Sequence, residues 1–347
     1  ASGKNVLILH SYNHEFQWTR TIHRGMVEAV ENSEAEIEIY TEYMALKRHS
    51  DPLYNYHYKE FFQNRHEDRK FDLILTSDDG AFQFAKDYLQ TEDETIVFCG
   101  VNYLSQDEIE NHDSYTGVME AYDIRGTIDS IIQLQPEVKN IFVINDMSVT
   151  GSGNRKNVEA VEESYSDLNF TYTENLSMSE LLHKESGLDK DTAILLMTFN
   201  KDRSNNTFSY AKSIQLIYDY ASVPMYGVWD FYLGDGIVGG YLTNGFAQGN
   251  AAGTMGVSVL EGKPVNTIPV TTFSPNEYMF DMEQISKFAI SEKNIPKDAV
   301  LINKEENFGD IYRQDPMLFN MLFGLIILGV ILIGVLIHFL RKSVQFR

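Results

Sequence analysis

The chain has 347 residues, and its 28 lysines and arginines stand against 50 aspartates and glutamates, giving a net charge of −22 and a pI near 4.7. An acidic excess of this size excludes a nucleic-acid partner and an anionic membrane surface as targets, because both carry the same sign of charge. The single cysteine, Cys99, excludes a disulfide framework and a cysteine-based zinc site.

Lys4 to His10 (KNVLILH) is a continuous apolar run bounded by polar residues, which predicts a strand buried on both faces of a parallel sheet. From Thr19 the apolar residues Ile22, Met26, Val27 and Val30 recur at helical spacing and complete a first strand, loop and helix. Glu36 to Tyr43 alternates like a second strand, and Leu53 to Asn64 reads as an aromatic-rich helix. Phe71 to Thr76 is a third strand, ending at Ser77-Asp78-Asp79-Gly80 before a helix from Ala81 to Leu89; Thr95 to Val101 is a fourth, ending at Asn102. This alternation predicts a parallel doubly wound sheet, whose strand C-termini share one edge, where such sheets bind ligands.

The series restarts after Tyr115-Thr116-Gly117-Val118 with a helix from Ala121 to Leu134, a strand from Asn140 to Asn145 ending at Asp146, and a helix from Gly153 to Ser164. Strands follow at Leu168 to Glu174 and at Thr192 to Thr198, the latter ending at Phe199-Asn200; a helix at Ser209 to Ala221 and a strand at Met225 to Val228 lead into Trp229. Beyond lie a Gly-rich strand (236–241), a small-residue helix (246–260), a strand (268–273) and a last helix (280–289). The fold class is therefore α/β with two Rossmann-like lobes built on parallel sheets. Lobe 1 is placed at 1–118, with parts of 242–304 returning to the lobes, and lobe 2 at 119–241.

Met317 to Leu340 is a run of 24 residues without Asp, Glu, Lys or Arg. At ~1.5 Å per residue it extends ~36 Å, enough to cross a ~30 Å hydrocarbon core, so one C-terminal transmembrane helix is predicted. Arg341, Lys342 and Arg347 follow it. The positive-inside rule makes 341–347 a cytoplasmic stub and places residues 1–316 outside the membrane, with 305–316 as a juxtamembrane linker. Whatever the helix reports to is absent from this sequence or lies in another chain. No signal peptide precedes the first strand, which is read as a mature or start-trimmed form, and a disulfide-free exterior domain leans towards a bacterial or archaeal envelope.

Polar and aromatic residues cluster at the strand ends. The predicted ligand-binding set is Ser11, Tyr12, Gln17 and Trp18 after the first strand, Ser77, Asp78 and Asp79 after the third, Asn102 after the fourth, Glu120 at the restart, and Asp146, Phe199, Asn200, Trp229 and Asp230 in the second series. Rings together with carboxylates and amides suit a small polar ligand that carries an amine, such as an amino acid or an aromatic solute. The plain alternative is that Ser, Asp and Asn at these positions cap helices, Ser77, Asp79 and Asp146 above all. The only two tryptophans, Trp18 and Trp229, both fall in these loops. Six of the nine histidines precede residue 67, but their spacings match no ligand motif, so no metal is expected. There is no nucleophile elbow, triad order or phosphate loop, so catalytic residues and cofactors are expected to be absent and any enzymatic activity to belong to an output domain outside this sequence.

Residues 5–303 resemble the substrate-binding-protein-like sensor domains of bacterial membrane receptors, relatives of the periplasmic proteins that feed ABC transporters. The resemblance rests on Val6-Leu7-Ile8-Leu9-His10-Ser11-Tyr12 followed by Phe16-Gln17-Trp18-Thr19, on Ser77 to Phe82 (SDDGAF), on Phe98-Cys99-Gly100-Val101-Asn102 and on Thr116 to Glu120 (TGVME). It continues through Trp229-Asp230, Leu233 to Gly240 (LGDGIVGG), and Phe280-Asp281 to Ile295-Pro296 and Val300-Leu301-Ile302-Asn303. It implies a type I periplasmic-binding fold that closes on a ligand, signalling through the membrane helix to a histidine kinase or cyclase, with homodimers as in receptors of this kind. The alternative it implies is a membrane-tethered substrate-binding protein of an ABC transporter.

Overall fold

The computed structural model describes residues 3–49, 51, 53–67, 69–90, 94–305, 312 and 315–345. Two compact units emerge, 1–302 and 303–347.

In the first unit, the opening half alternates β1 (Lys4–His10), α1 (Gln17–Glu31), β2 (Ile37–Tyr43), α2 (Tyr54–His66), β3 (Leu73–Ser77), α3 (Asp78–Phe84), β4 (Ile96–Val101), α4 (Gln106–Glu110) and β5 (Tyr115–Met119). The strands form one parallel sheet in the order β2-β1-β3-β4-β5. Val6 to Leu9 are fully buried because this strand lies second in the order, covered on one face by Trp18, Ile22 and Met26 and on the other by Phe62 and Phe71.

The second half runs α5 (Ile124–Leu134), β6 (Asn140–Ile144), α6 (Val149–Glu162), β7 (Asn169–Tyr172), α7 (Met178–Glu185), β8 (Thr192–Leu196), α8 (Tyr210–Tyr220), β9 (Met225–Tyr226), β10 (Gly239–Thr243), α9 (Gly245–Leu260), β11 (Asn276–Asp281), α10 (Met282–Lys287) and β12 (Val300–Ile302). Its seven strands follow the order β12-β11-β10-β9-β8-β6-β7. All pairings are parallel except β10 with β11, where Tyr241 meets Tyr278 with ring centroids 4.6 Å apart.

The chain crosses between the lobes three times. The first crossing leaves β5 for α5. In the second, α9 leaves β10 and packs on α1 and β4 of the first lobe. The third runs back from α9 to β11, and there Met119 N–H donates to Thr271 O at 2.8 Å while Thr271 N–H donates to Gly117 O at 2.9 Å. Buried Gln248 ties the crossings together: its Nε2 donates to Met119 O and Ser274 Oγ, and its Oε1 accepts from Gly100 N–H.

The strand predicted at 268–273 is not one. Pro269 removes a ladder donor, and only Thr271 bridges, to Val118. The strand lies instead at β11, whose Asn276 and Glu277 conceal it in sequence. The Gly-rich strand begins only at Gly239, because Gly234 and Gly236 shape a turn with φ of 92° and 133°. Helix α5 starts at Ile124, since Asp123 caps it by accepting from Gly126 N–H. Helix α6 starts at Val149, four residues earlier than predicted, because Ser148 caps it.

The second unit contains α11 (Pro316–Gln345), longer at both ends than the predicted 317–340. By length and composition, Pro316 to Lys342 can cross a membrane, and none of its apolar window is buried. The predicted linker falls largely outside the described residues, as do Ala1, Ser2 and Arg347.

Candidate functional site

The C-terminal ends of the strands from both lobes open on a cavity of about 1120 Å³. Of the predicted set, Tyr12, Trp18, Asp78, Asp79, Asn102, Glu120 and Trp229 line it. The turn from β3 into α3 carries the acids: Asp78 has φ 67°, an uncommon conformation for a residue with a side chain, and such strain concentrates at functional sites.

Each tryptophan grips one carboxylate. Trp18 Nε1 donates to Asp78 Oδ1 at 2.9 Å, and Trp229 Nε1 donates to Glu120 Oε1 at 2.9 Å. Trp18 and Trp229 are themselves buried, so their rings act as walls and their N–H groups as fixed donors. Among the described residues the other oxygen of Asp78 is buried without a hydrogen-bond partner of good geometry. Burial pushes Asp78 up to about 7, despite the Trp18 hydrogen bond and nearby Lys47; burial and the Asp78 charge together push Glu120 up to about 8. Asp79 is held apart by accepting from Asn102 N–H at 3.2 Å and Asn102 Nδ2 at 3.1 Å.

Aromatic rings surround these acids. Phe231 stacks on Trp229 at 5.7 Å and an interplanar angle of 15°, touches Tyr210 at 5.0 Å and reaches Trp18 across the lobes at 6.4 Å. Tyr122 meets Trp229 edge-on at 4.9 Å, and its hydroxyl donates to Asn154 Oδ1 while accepting from Asn157 Nδ2. A site with two poorly hydrated carboxylates inside ring walls can take up an organic ammonium and exchange it for protons.

The other predicted residues do not line this cavity, and most are bonded or packed within the fold. Ser11 Oγ donates to Ser77 O and accepts from Ala81 N–H, and Ser77 Oγ lies 2.8 Å from His10 Nδ1. Asp146 accepts from Ser148, Asn200 and Lys201 N–H, so it ties the end of β6 to the segment after β8, while Ser148 does the capping of α6. Asn200 Nδ2 donates to Phe208 O, and Phe199 is buried in the second lobe's core. Asp230 accepts from Gly245 N–H at the start of α9, and Gln17 is exposed outside the cavity. The polar ones, Ser11, Asp146, Asn200 and Asp230, bond backbone that the fold brings to the strand ends, so their side chains are satisfied before they reach the cleft. Lys47, Tyr122, Tyr210 and Phe231, by contrast, escaped the sequence reading. Phe231 follows Trp229-Asp230 by one residue; the others sit in a loop or at a helix start with no local mark.

Residues 64–302, well over half of the chain, match the family described as ABC transporter substrate binding protein. The chain belongs to this family. Its fold is similar to that of a substrate-binding protein with adhesive properties from Clostridium difficile, solved ligand-free and open (TM-score 0.66, 16% identity, covering 87% of this chain and 100% of that one). It is also similar to an ABC domain in complex with L-Trp from Streptococcus pneumonia (0.61, 16%, 87% and 100%) and to a conserved domain protein from Vibrio cholerae (0.58, 13%, 86% and 99%). No curated protein matches in sequence. For a substrate-binding protein, the cavity between the lobes is the expected ligand position.

Proposed function

We propose that residues 1–302 close on an amine-bearing, ring-containing solute, an amino acid or a related amine, and that α11 carries the change across a membrane as part of a receptor. The observation that carries this is the pair of indole-held carboxylates inside a ring-walled cavity, on a chain that also holds a helix able to span a bilayer. The L-Trp complex of a similar fold supports the ligand class. A ligand that contacts both lobes favours closure by its extra contacts; moving the closed fraction from about 1% to 99% takes ~5.5 kcal/mol of differential binding. Residues 1–316 are then extracytoplasmic and the protein is not itself an enzyme. The family match favours a second reading, a tethered binding protein delivering solute to a transporter.

A thermal-shift screen of the full chain in detergent, against amino acids, amines, nucleosides and small carboxylates, tests the binding, since a ligand specific for the folded state raises the midpoint. Hits abolished by Trp18→Ala and Trp229→Ala support the cavity; a broad library without a hit removes the small-molecule reading. To separate receptor from tether, a cysteine placed at Gly324 in vesicles reports contact between helices of two copies. Ligand-dependent cross-linking supports a signalling homodimer, and cross-linking indifferent to the hit favours the tether.

A further inference from the structure

Among the described residues Lys47 is the cation that meets the rings of Tyr12, Phe16 and Tyr210, while Arg125 and Lys156 line the same cavity elsewhere. Lys47 Nζ lies 3.8 Å from the Phe16 ring centroid, 4.5 Å from that of Tyr210 and 4.7 Å from that of Tyr12. Other lysines that meet carboxylates pair with them, as Lys4 does with Asp72 and Lys86 with Glu108. Among the described residues Lys47 forms no such ion pair, although Asp78 and Glu120 share its cavity and act on it electrostatically. The faces of three rings attract an ammonium through their quadrupoles, and this holds even at a residue that stays exposed.

The loop holding Lys47 is pinned at its root. Met44 N–H donates to His10 O and Leu46 N–H to Ser11 O, both at 2.8 Å, and Ala45 takes a left-handed φ of 54°. The side chain therefore reaches the cavity wall from a fixed base, while the residue as a whole is exposed. Two rings of the box, Tyr12 and Phe16, belong to the first lobe; the third, Tyr210, opens α8 of the second, and Phe16 and Tyr210 stack at 5.9 Å.

We infer that the box of Tyr12, Phe16 and Tyr210 is an organic-ammonium subsite, and that Lys47 is its tethered occupant, which an incoming ligand must displace. This rests on the cavity being the ligand site and adds a residue that sets its selectivity. A cation too weakly held to expel Lys47 is rejected. A ligand that brings both an ammonium for the box and an anionic group for the released lysine binds best.

The probe is tetramethylammonium chloride against sodium chloride at equal ionic strength, titrated into the full chain in detergent and read by tryptophan fluorescence, which reports only Trp18 and Trp229. Lys47→Met is expected to bind the probe about tenfold more tightly than the native chain, the scale of one cation–ring contact, while Lys47→Arg, which keeps a cation at the box, stays near native. Equal or weaker binding by Lys47→Met, or no binding by either protein, overturns the inference. Circular dichroism establishes that the variants fold, and a measurement on the native chain needs no variant. There the probe should speed reductive methylation of Lys47, which meets the rings, but not of Lys70, which lies outside the cavity lining; an unchanged Lys47 rate counts against displacement. Failure of the library screen together with a gain in Lys47→Met sinks the solute-receptor reading and leaves this subsite standing; hits without that gain do the reverse.

Discussion

Asp78 shows how burial at a single residue becomes a property of the whole domain. In the unfolded chain an aspartate titrates near 3.8, whereas in the fold Asp78 titrates near 7. Below the lower value both states hold the proton and the fold keeps its full stability. As pH rises from there the unfolded chain releases its proton first, so stability falls until the folded group also ionises near 7. The span corresponds to at most ~4 kcal/mol. Asp78→Asn, which keeps an acceptor for Trp18 and mimics the protonated acid, should therefore gain stability over the native chain from about pH 4 to about pH 7 and level off above that in denaturant titrations. A difference independent of pH would mean that Asp78 is ionised in the fold. The same protons leave when an ammonium enters, so binding of an amine should release protons near neutral pH. Both tryptophans line the cavity, at the strand-end loops where the sequence puts them. Their donation to Asp78 and Glu120 leaves no local mark, because the partners lie 60 and 109 positions away.

At the scale of elements, strand and helix types were mostly legible because a strand buried on both faces is nearly continuous in apolar residues, as β1 and β4 are. The helices α4 and α7 were missed although each begins with a capping box, Ser105 with Glu108 and Ser177 with Glu180, a signal readable from sequence. The small-residue character of α9 was seen, but its reason is tertiary. A Cβ on Gly249 would lie 2.0 Å from Ile22 O, and one on Gly25 would lie 2.2 Å from Phe246 O, so α1 and α9 touch backbone to backbone. Gly249→Ala must push the helices apart and should cost ~1–3 kcal/mol, read as a lowered denaturation midpoint. Gly153 on α6 faces open space at the cavity, so Gly153→Ala should be neutral or stabilise by up to ~1 kcal/mol. Equal effects of the two substitutions would show that helix propensity, and not the crossing, explains the glycines.

For the lobes as a whole, three crossings permit approach and separation while tying the sheets together, and the rings at the cavity mouth show where approach would register. Tyr103, in the loop after β4, is 86% exposed, and Phe273, on the third crossing, is 72% exposed; both line the cavity. An aromatic ring left in water beside a ligand cavity gains little for the domain as it stands. Under the proposed closure over a ligand its burial becomes favourable, at roughly 25 cal/mol for each Å² of apolar surface covered. Tyr103→Ala should accordingly leave the stability of the unliganded chain within ~0.5 kcal/mol of native, as exposed substitutions do. The same change should weaken binding of a thermal-shift hit by ~1–2 kcal/mol, the order expected of a truncated ring at a closing interface. Titration calorimetry beside denaturant unfolding reads both quantities. Loss of stability without loss of affinity would make Tyr103 a packing residue. Loss of affinity alone, accompanied by a smaller radius of gyration for the native liganded protein than for the liganded variant, would identify the Tyr103 loop as the edge that closes.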